Sequence, residues 1–275
     1  MRPYCTVVFL AVVLASLVRC STFGAEDTGA PNEVGLPEGA VADARLPETS
    51  EGGSDAGVAR FCADGGHEFC DDFDEDGRQA VGTRWSTVDG GEQLAVDESF
   101  VRSPPRSLGL TTAVLASGGS SSAALTLDVP NTSTFPKTIH VSFDMRVSLL
   151  AATSGYLVPV RLRFDGAATA AGFTVSGTAT RFYELSPFDG GGQVVSMSGT
   201  GPLLVPSVWQ HVDLTIDRDA RSVTLRFDGS GATHLLAPAT TLSGPVHLDL
   251  GAPVVTGQAT QWKINFDNVT LDVVR

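Results

Sequence analysis

The stretch Thr138-Ile-His-Val-Ser-Phe-Asp-Met-Arg-Val147 alternates apolar and polar residues along its whole length. Successive side chains of an extended chain point to opposite faces, so the apolar set shares one face and the polar set shares the other. The apolar set is Ile139, Val141, Phe143, Met145 and Val147. This period of two predicts a β-strand with one buried face, whereas an amphipathic helix would repeat its apolar residues every three or four positions.

The same alternation recurs along the chain. Apolar residues occupy every second position in Val158–Phe164, Val212–Asp217 and Val223–Phe227. Glycine-rich breaks follow at Gly118-Gly119, Gly190–Gly192 and Gly229–Gly231, and such clusters interrupt strands. No part of residues 61–275 keeps a helical period over three turns. We therefore predict one all-β domain over residues 61–275, folded as an antiparallel two-sheet sandwich.

The last apolar run changes parity. Trp262, Ile264 and Phe266 share one parity, and Val269, Leu271 and Val273 take the other. The switch at Asp267-Asn268 predicts a β-bulge that re-aims these two polar side chains. Bulges occur beside functional sites and also simply bend strands, so both interpretations stay open.

Residues 1–60 have the composition of a leader and a tether. Arg2 precedes an apolar run that is too short to span a bilayer as a helix but fits the core of a secretory signal. The run ends at Cys20 and resembles a bacterial lipoprotein signal, although Arg19 stands where that family has a small residue. We predict a signal peptide over 1–19 with lipidation of Cys20, or alternatively a plain secretory signal. Residues 20–60 are acidic, poor in apolar residues and predicted to be a disordered linker.

The predicted export and the net charge limit the kinds of partner that the chain can have. The chain is expected in the cell envelope as an outer-membrane or surface lipoprotein that meets the membrane only through its lipid anchor, or otherwise secreted. Cys62 and Cys70 are the only cysteines of residues 61–275, and in an exported chain such a pair predicts a disulfide. The net charge is −13; the leader carries +2 and residues 21–60 carry −6, which leaves −9 on the domain. We expect no nucleic-acid partner, because phosphate contacts need clusters of Lys and Arg.

Three short motifs carry a family resemblance. They are Phe69-Cys-Asp-Asp-Phe-Asp74 with Arg84-Trp85-Ser86 and Ser107-Leu108, then Trp209–Asp217 with its return strand, and finally Phe266-Asp-Asn-Val269. Together they resemble concanavalin A-like (laminin G-like) jelly rolls over residues 69–275. The resemblance implies two antiparallel sheets, a last strand paired beside the first, and a cleft on one sheet that usually takes a glycan.

Calcium is the one cofactor that the sequence suggests. Asp72-x-Asp74-x-Asp76-Gly77 matches the first half of an EF-hand loop, but Thr83 stands where the loop needs a bidentate glutamate. The jelly-roll resemblance implies a different calcium site where the first and last strands meet. Its candidate ligands here are Asp71, Asp72, Asp74 and Asp267. The alternative is a solvated acidic turn with a structural aspartate.

Catalytic motifs of the related enzymes are absent from the sequence. The Glu-x-Asp-x-(x)-Glu strand of family 16 glycoside hydrolases has no counterpart, and Gln210 and His211 have opposite parity, so they cannot both face one cleft as a lyase strand would need. We predict a surface-tethered, non-catalytic module that binds carbohydrate, such as an envelope polysaccharide, or another extracellular ligand. The alternatives are a divergent polysaccharide-active enzyme and a structural or adhesive envelope protein.

The candidate ligand-binding residues are polar side chains on the outward parity of predicted strands. An ordinary solvated sheet surface is the alternative interpretation. The candidates are His140, Asp144, Arg146, Arg161, Arg163, Arg181 and Tyr183.

Overall fold

The computed structural model describes residues 61–75, 81–116, 119–129, 136–149, 155–164, 169–188, 192–257 and 261–275. The predicted leader, Cys20, the linker and Asp76 lie outside these residues. Two short 3-10 turns, Phe61–Asp64 and Gly91–Gln93, accompany the strands. Within these ranges no helix is long and apolar enough to cross a membrane.

The described chain is built from β-strands. They are β1 (Phe69–Asp71), β2 (Thr87–Asp89), β3 (Leu94–Asp97), β4 (Ser107–Thr111), β5 (Ser120–Val129), β6 (Thr138–Leu149), β7 (Tyr156–Phe164), β8 (Thr169–Ser176), β9 (Ala179–Phe188), β10 (Gly192–Ser198), β11 (Trp209–Asp217), β12 (Ser222–Phe227), β13 (Ser230–Leu235), β14 (Val246–Thr256) and β15 (Lys263–Val274).

These strands form two antiparallel sheets. Sheet 1 has the order β13-β12-β11-β6-β15-β4-β3, with β1 also paired to β15. Sheet 2 has the order β10-β9-β8-β7-β14-β5-β2. The predicted all-β, two-sheet antiparallel sandwich is confirmed.

One apolar core fills the space between the sheets. Val141 and Phe143 of β6, Leu214 of β11, and Leu162 and Leu248 of sheet 2 are fully buried in a single cluster. Burying a side chain of this size stabilises the fold by about 1.5–3 kcal/mol. The alternation in the sequence therefore places its apolar set between the sheets and leaves its polar set on the two outer faces.

The alternation predicted for Val158–Phe164 is wrong at its start. The pairing of β7 with β8 shifts register between Leu157 and Val160, so Leu157 joins the main core while Val158 belongs to a separate cluster. Pro159 lies within this shift, and proline lacks the N–H that a regular ladder requires. An irregularity in the strand, which the apolar pattern hides, moves Val158 to the outer face of sheet 2.

The first and last strands pair as predicted. Phe69 lies opposite Leu271 and Asp71 lies opposite Val269. The pairing of β15 with β6 shifts register after Asp267, which confirms the predicted bulge.

The segment before β1 is held covalently and by hydrogen bonds. Cys62 and Cys70 form the predicted disulfide. Asp71 is buried and accepts hydrogen bonds from Trp85 Nε1 at 2.7 Å and from the Phe73 backbone N–H at 2.9 Å. A buried carboxylate needs such donors, so this inward aspartate fixes Trp85 beside β1.

Candidate functional site

A row of directly opposed residues crosses the outer face of sheet 2. Phe173 and Val160, one position away on their strands, belong to the core cluster, so the row itself faces outward. At ~4.8 Å between neighbouring strands, it is about 24 Å long. We call it the cross-strand row; its residues are Thr126, Asp249, Arg161, Gly172, Tyr183 and Met197.

Two arginines converge on one aspartate at the centre of this row. Asp249 Oδ2 accepts hydrogen bonds from Arg161 Nε at 2.7 Å and Arg163 Nε at 2.6 Å, and Oδ1 accepts from Arg163 Nη2 at 2.9 Å and Thr126 Oγ1 at 2.8 Å. The Asp249 side chain is only 2% exposed. Burial acts to raise the pKa of Asp249, but the hydrogen bonds from Arg163 and Arg161 outweigh it and lower that pKa. The carboxylate is therefore ionised and committed to its two arginines.

Tyr183 lies two strands away from Arg161, across Gly172. An added Cβ at Gly172 would meet the Val160 carbonyl oxygen at 2.3 Å, so only glycine fits between the neighbouring strands. Burial raises the pKa of Tyr183, while its hydrogen bond with Arg161 acts in the opposite direction. The phenol therefore stays protonated at neutral pH and remains a hydrogen-bonding group.

An apolar patch surrounds Tyr183 on the outer face. Tyr183 is 2% exposed because it packs in a cluster with Val158, Ala170 and Leu185. Tyr156 and Val254, both partly buried, pack against the same cluster. The accessible part of this apolar flank is therefore formed by Tyr156 and Val254, beside the charged centre, and a small-molecule site usually combines both kinds of surface.

Two depressions lie along the cross-strand row. One of about 280 Å³ is lined by Asp89, Ser122, Ala124, Thr126, Arg161, Arg163, Asp249 and Pro253. The other, of about 310 Å³, is lined by Gly155, Tyr156, Thr174, Ser176, Ala179, Arg181 and Met197. A ligand that followed the row would reach both.

A second polar cluster lies on the outer face of sheet 1. His211 Nδ1 lies 3.1 Å from Asp144 Oδ1, and Asn268 Nδ2 donates to Asp144 Oδ2 at 2.8 Å. Asp213 Oδ1 is 3.1 Å from His140 Nε2 and 3.5 Å from His211 Nε2. The hydrogen bond with Asp144 raises the pKa of His211, and this effect outweighs burial, which acts to lower it.

The seven predicted ligand-binding residues are divided between the two sheets. His140, Asp144 and Arg146 lie on β6 of sheet 1, and Arg161, Arg163, Arg181 and Tyr183 lie on β7 and β9 of sheet 2. The structure therefore brings them together as two groups on opposite outer faces.

One partner in each group is not among the predicted ligand-binding residues. Asp249 holds Arg161 and Arg163 together, and the alternation of Val246-His-Leu-Asp-Leu250 already places it on the polar face. His211 is the partner of Asp144, whereas the sequence suggested for it only a position in a lyase motif. Strand order, which the sequence does not give, brings both residues to their partners.

The four predicted calcium ligands are hydrogen-bonded within the protein. Asp72 accepts from the Cys62 and Asp74 backbone N–H groups, and Asp74 accepts from the Arg106 N–H. In the part of the chain described here, no three His, Cys, Asp or Glu side chains are grouped so that they could hold a metal ion. Calcium binding through Asp71, Asp72, Asp74 and Asp267 stays a prediction.

Asp267 fixes the loop between β3 and β4 to the bulge of β15. Its carboxylate accepts hydrogen bonds from the backbone N–H groups of Arg102 and Ser103, both at 2.9 Å, and from Asn268 at 2.8 Å. Asn268 has a φ of 53°, in the left-handed region. Burial raises the pKa of Asp267 to about 6, although these hydrogen bonds act to lower it.

We expect the domain to lose stability as the pH rises from about 4 to about 8. Asp267 has a raised pKa, so the folded state holds its proton more tightly, and its contribution is lost as the pH rises from 3.8 through about 6. The raised pKa of His211 acts with the same sign, because its contribution is complete below 6.5 and lost at higher pH. A two-unit shift at Asp267 corresponds to about 3 kcal/mol. Urea unfolding at pH 4 and pH 8 captures most of this difference.

Two variants distinguish the contribution of Asp267 from that of His211. Asp267→Asn should flatten the dependence between pH 4 and pH 6, and His211→Gln should flatten it above pH 6.5. A native midpoint that is constant or rises over this range would contradict the assignment.

The chain is similar to solved structures of low sequence identity. No family model and no curated protein matches the chain. The solved structure of "Cellulose induced protein, Cip1" has a TM-score of 0.51 at 11% identity and covers 74% of this chain and 96% of its own. Alginate lyase vAL-1 from a Chlorella virus has a TM-score of 0.49 at 13% identity, over 69% of this chain and 93% of its own. A Bacteroides ovatus GH16 protein has a TM-score of 0.47 at 11% identity, over 74% of this chain and 99% of its own.

The fold is therefore a concanavalin A-like jelly roll, as the sequence resemblance implied. At such identities the likeness shows the fold alone. Any function must be argued from the side chains of this chain.

Proposed function

We propose that this chain is a non-catalytic carbohydrate-binding module whose ligand lies along the cross-strand row on sheet 2. The observation that carries the proposal is the combination, on one outer face, of charged hydrogen-bonding groups with an aromatic and apolar flank. A sugar ring presents hydroxyl groups at its edge and C–H groups on its faces, so it needs both kinds of surface. Arg161, Arg163 and Arg181 supply donors, and Tyr156, which lines the 310 Å³ depression, supplies the aromatic surface.

The charges of the row favour binding over hydrolysis. Glycoside hydrolysis generally uses two carboxyl groups, one on each side of the scissile bond. The row contains one carboxylate, Asp249, and two arginines hold it ionised. Asp89, the other carboxylate that lines the 280 Å³ depression, lies two strands and two residues from Asp249, about 12 Å along the sheet, and accepts a hydrogen bond from Ser122 Oγ. The ionised Asp249 therefore cannot serve as a general acid. Its oxygens already accept hydrogen bonds from Arg161 and Arg163, so it is not free to act as a general base.

The sequence of residues 1–60 supports a location of the module at the cell envelope. The apolar run that ends at Cys20 and the acidic segment behind it fit a lipid anchor followed by a tether. Such a tether would hold the sandwich at the envelope surface, where polysaccharides are accessible.

A glycan array, followed by calorimetric titration of the full-length chain, tests the proposal. Tyr156→Ala and Arg181→Ala remove two residues that line the 310 Å³ depression, and each should weaken binding about tenfold, or about 1.4 kcal/mol. The matched control is Arg226→Ala, because Arg226 is exposed on β12 of the other sheet. Absence of binding to every glycan, or an equal loss in the control, would refute this function.

A further inference from the structure

The charged centre of the cross-strand row holds more positive than negative charge. Arg161 and Arg163 share the carboxylate of Asp249, so these three residues carry a formal excess of one positive charge. Asp89, the other carboxylate lining the same depression, lies two strands and two residues from Asp249 and accepts a hydrogen bond from Ser122 Oγ. The side chains of Arg161 and Arg163 are only 19% and 21% exposed, so water screens this excess charge weakly. Within the described residues neither arginine forms an ion pair with a second carboxylate. This excess stands out in a chain whose net charge is −13.

Several donors of these two arginines are not used by Asp249. A guanidinium has five N–H donors. Asp249 accepts hydrogen bonds from Nε of Arg161 and from Nε and Nη2 of Arg163. Tyr183 forms a further hydrogen bond with Arg161. Among the described residues, donors of Arg161 therefore remain for a ligand in the 280 Å³ depression that both arginines line.

A third arginine extends the positive charge along the row. Arg181 is the charged residue among those lining the 310 Å³ depression. From the strand register, Arg161 lies opposite Gly172, and Arg181 lies opposite Thr174 on the same strand β8. The two arginines are thus two strands and two residues apart, about 12 Å along the sheet.

We propose that the ligand of this site is an acidic oligosaccharide whose carboxylate groups pair with Arg161 and, two strands further across sheet 2, with Arg181. This inference rests on the proposed carbohydrate-binding function and names its ligand class. A planar carboxylate matches the fork of a guanidinium and pairs with it bidentately. The ligand carboxylate balances the excess charge that Asp249 leaves, and the distance between the two arginines requires an oligomer.

The test compares each acidic oligosaccharide with its own methyl ester, which keeps the sugar backbone and removes the charge. Hexamers of galacturonate, mannuronate and hyaluronan, with cellohexaose as a neutral reference, are titrated against the full-length chain. At least one free acid should bind ten times more tightly than its ester, and this ratio should fall when NaCl is raised from 50 to 500 mM. Equal binding of every acid and ester would overturn the ligand class and leave carbohydrate binding standing. No binding of any glycan would overturn both.

Variants locate the carboxylate subsite. Arg161→Gln leaves Asp249 in its bidentate pair with Arg163, so the fold should persist while the acid-to-ester ratio falls, and the double variant Arg161→Gln, Arg181→Gln should bring the ratio to about one. Arg161→Lys keeps the charge without the fork and should give an intermediate ratio. Arg226→Gln, which removes an exposed arginine from sheet 1, should leave the ratio unchanged. A ratio that survives Arg161→Gln and Arg181→Gln would overturn the assignment.

Discussion

Deletion of residues 266–275 is expected to abolish cooperative folding. The deleted segment contains Phe266, Val269 and Leu271, whose side chains are fully buried in the core. Each contributes about 1.5–3 kcal/mol, and their sum is comparable with the 5–15 kcal/mol by which whole domains are stable. The deletion also removes the strand that β1 and half of β6 pair with, so it exposes unpaired backbone groups. Thermal unfolding followed by circular dichroism measures the result.

Deletion of residues 274 and 275 is the matched control. Val274 is 61% exposed, and Arg275 contributes an ion pair with Glu68. Losses at such positions are usually below about 1 kcal/mol, so the shorter deletion should unfold cooperatively near the native temperature. A cooperative transition in the ten-residue deletion would contradict the role of β15 as the central strand that ties the two ends of the domain together.

The sequence predicted those features that depend on local pattern. The alternation in Thr138–Val147 gave the buried face of β6, because side-chain direction in a strand follows from residue parity alone. The parity switch at Asp267-Asn268 located the bulge for the same reason. The pairing of Phe69–Asp71 with the last strand came from the family resemblance, since no local pattern records which distant strands become neighbours.

The features that the sequence did not predict depend on strand order. The predicted ligand-binding residues have the right parity, but parity does not tell which sheet a strand joins. His140 and Arg161 both face outward, yet they lie on different sheets. Asp249 becomes the partner of Arg161 and Arg163 only because β14 lies beside β7, although 86 residues separate it from Arg163 in the chain. Val158 was misplaced because a local irregularity overrides the period of two.

The substitution Asp249→Asn is expected to lower the free energy of unfolding by about 3–5 kcal/mol. Asparagine keeps the shape of the side chain but leaves Arg161 and Arg163 without a counter-charge in a site where each is about one-fifth exposed. Breaking a buried pair in this way costs more than the pair contributed, because the remaining charges stay desolvated. Urea unfolding at pH 7 measures the loss. The native contribution should also disappear in acid, as the pH falls from 3.8 through the lowered pKa of Asp249.

Two controls decide whether burial is the cause. Asp272→Asn breaks the contact with His67, in which both side chains are 36% exposed, and should cost less than about 1 kcal/mol. The triple variant Arg161→Met, Arg163→Met and Asp249→Leu removes the whole charged group and should recover most of the loss, since apolar residues of similar volume fill such sites well. Equal effects of Asp249→Asn and Asp272→Asn would mean that water screens both sites alike. The excess positive charge beside Asp249 would then be solvated, and the physical reason for a carboxylate ligand at Arg161 would be lost with it.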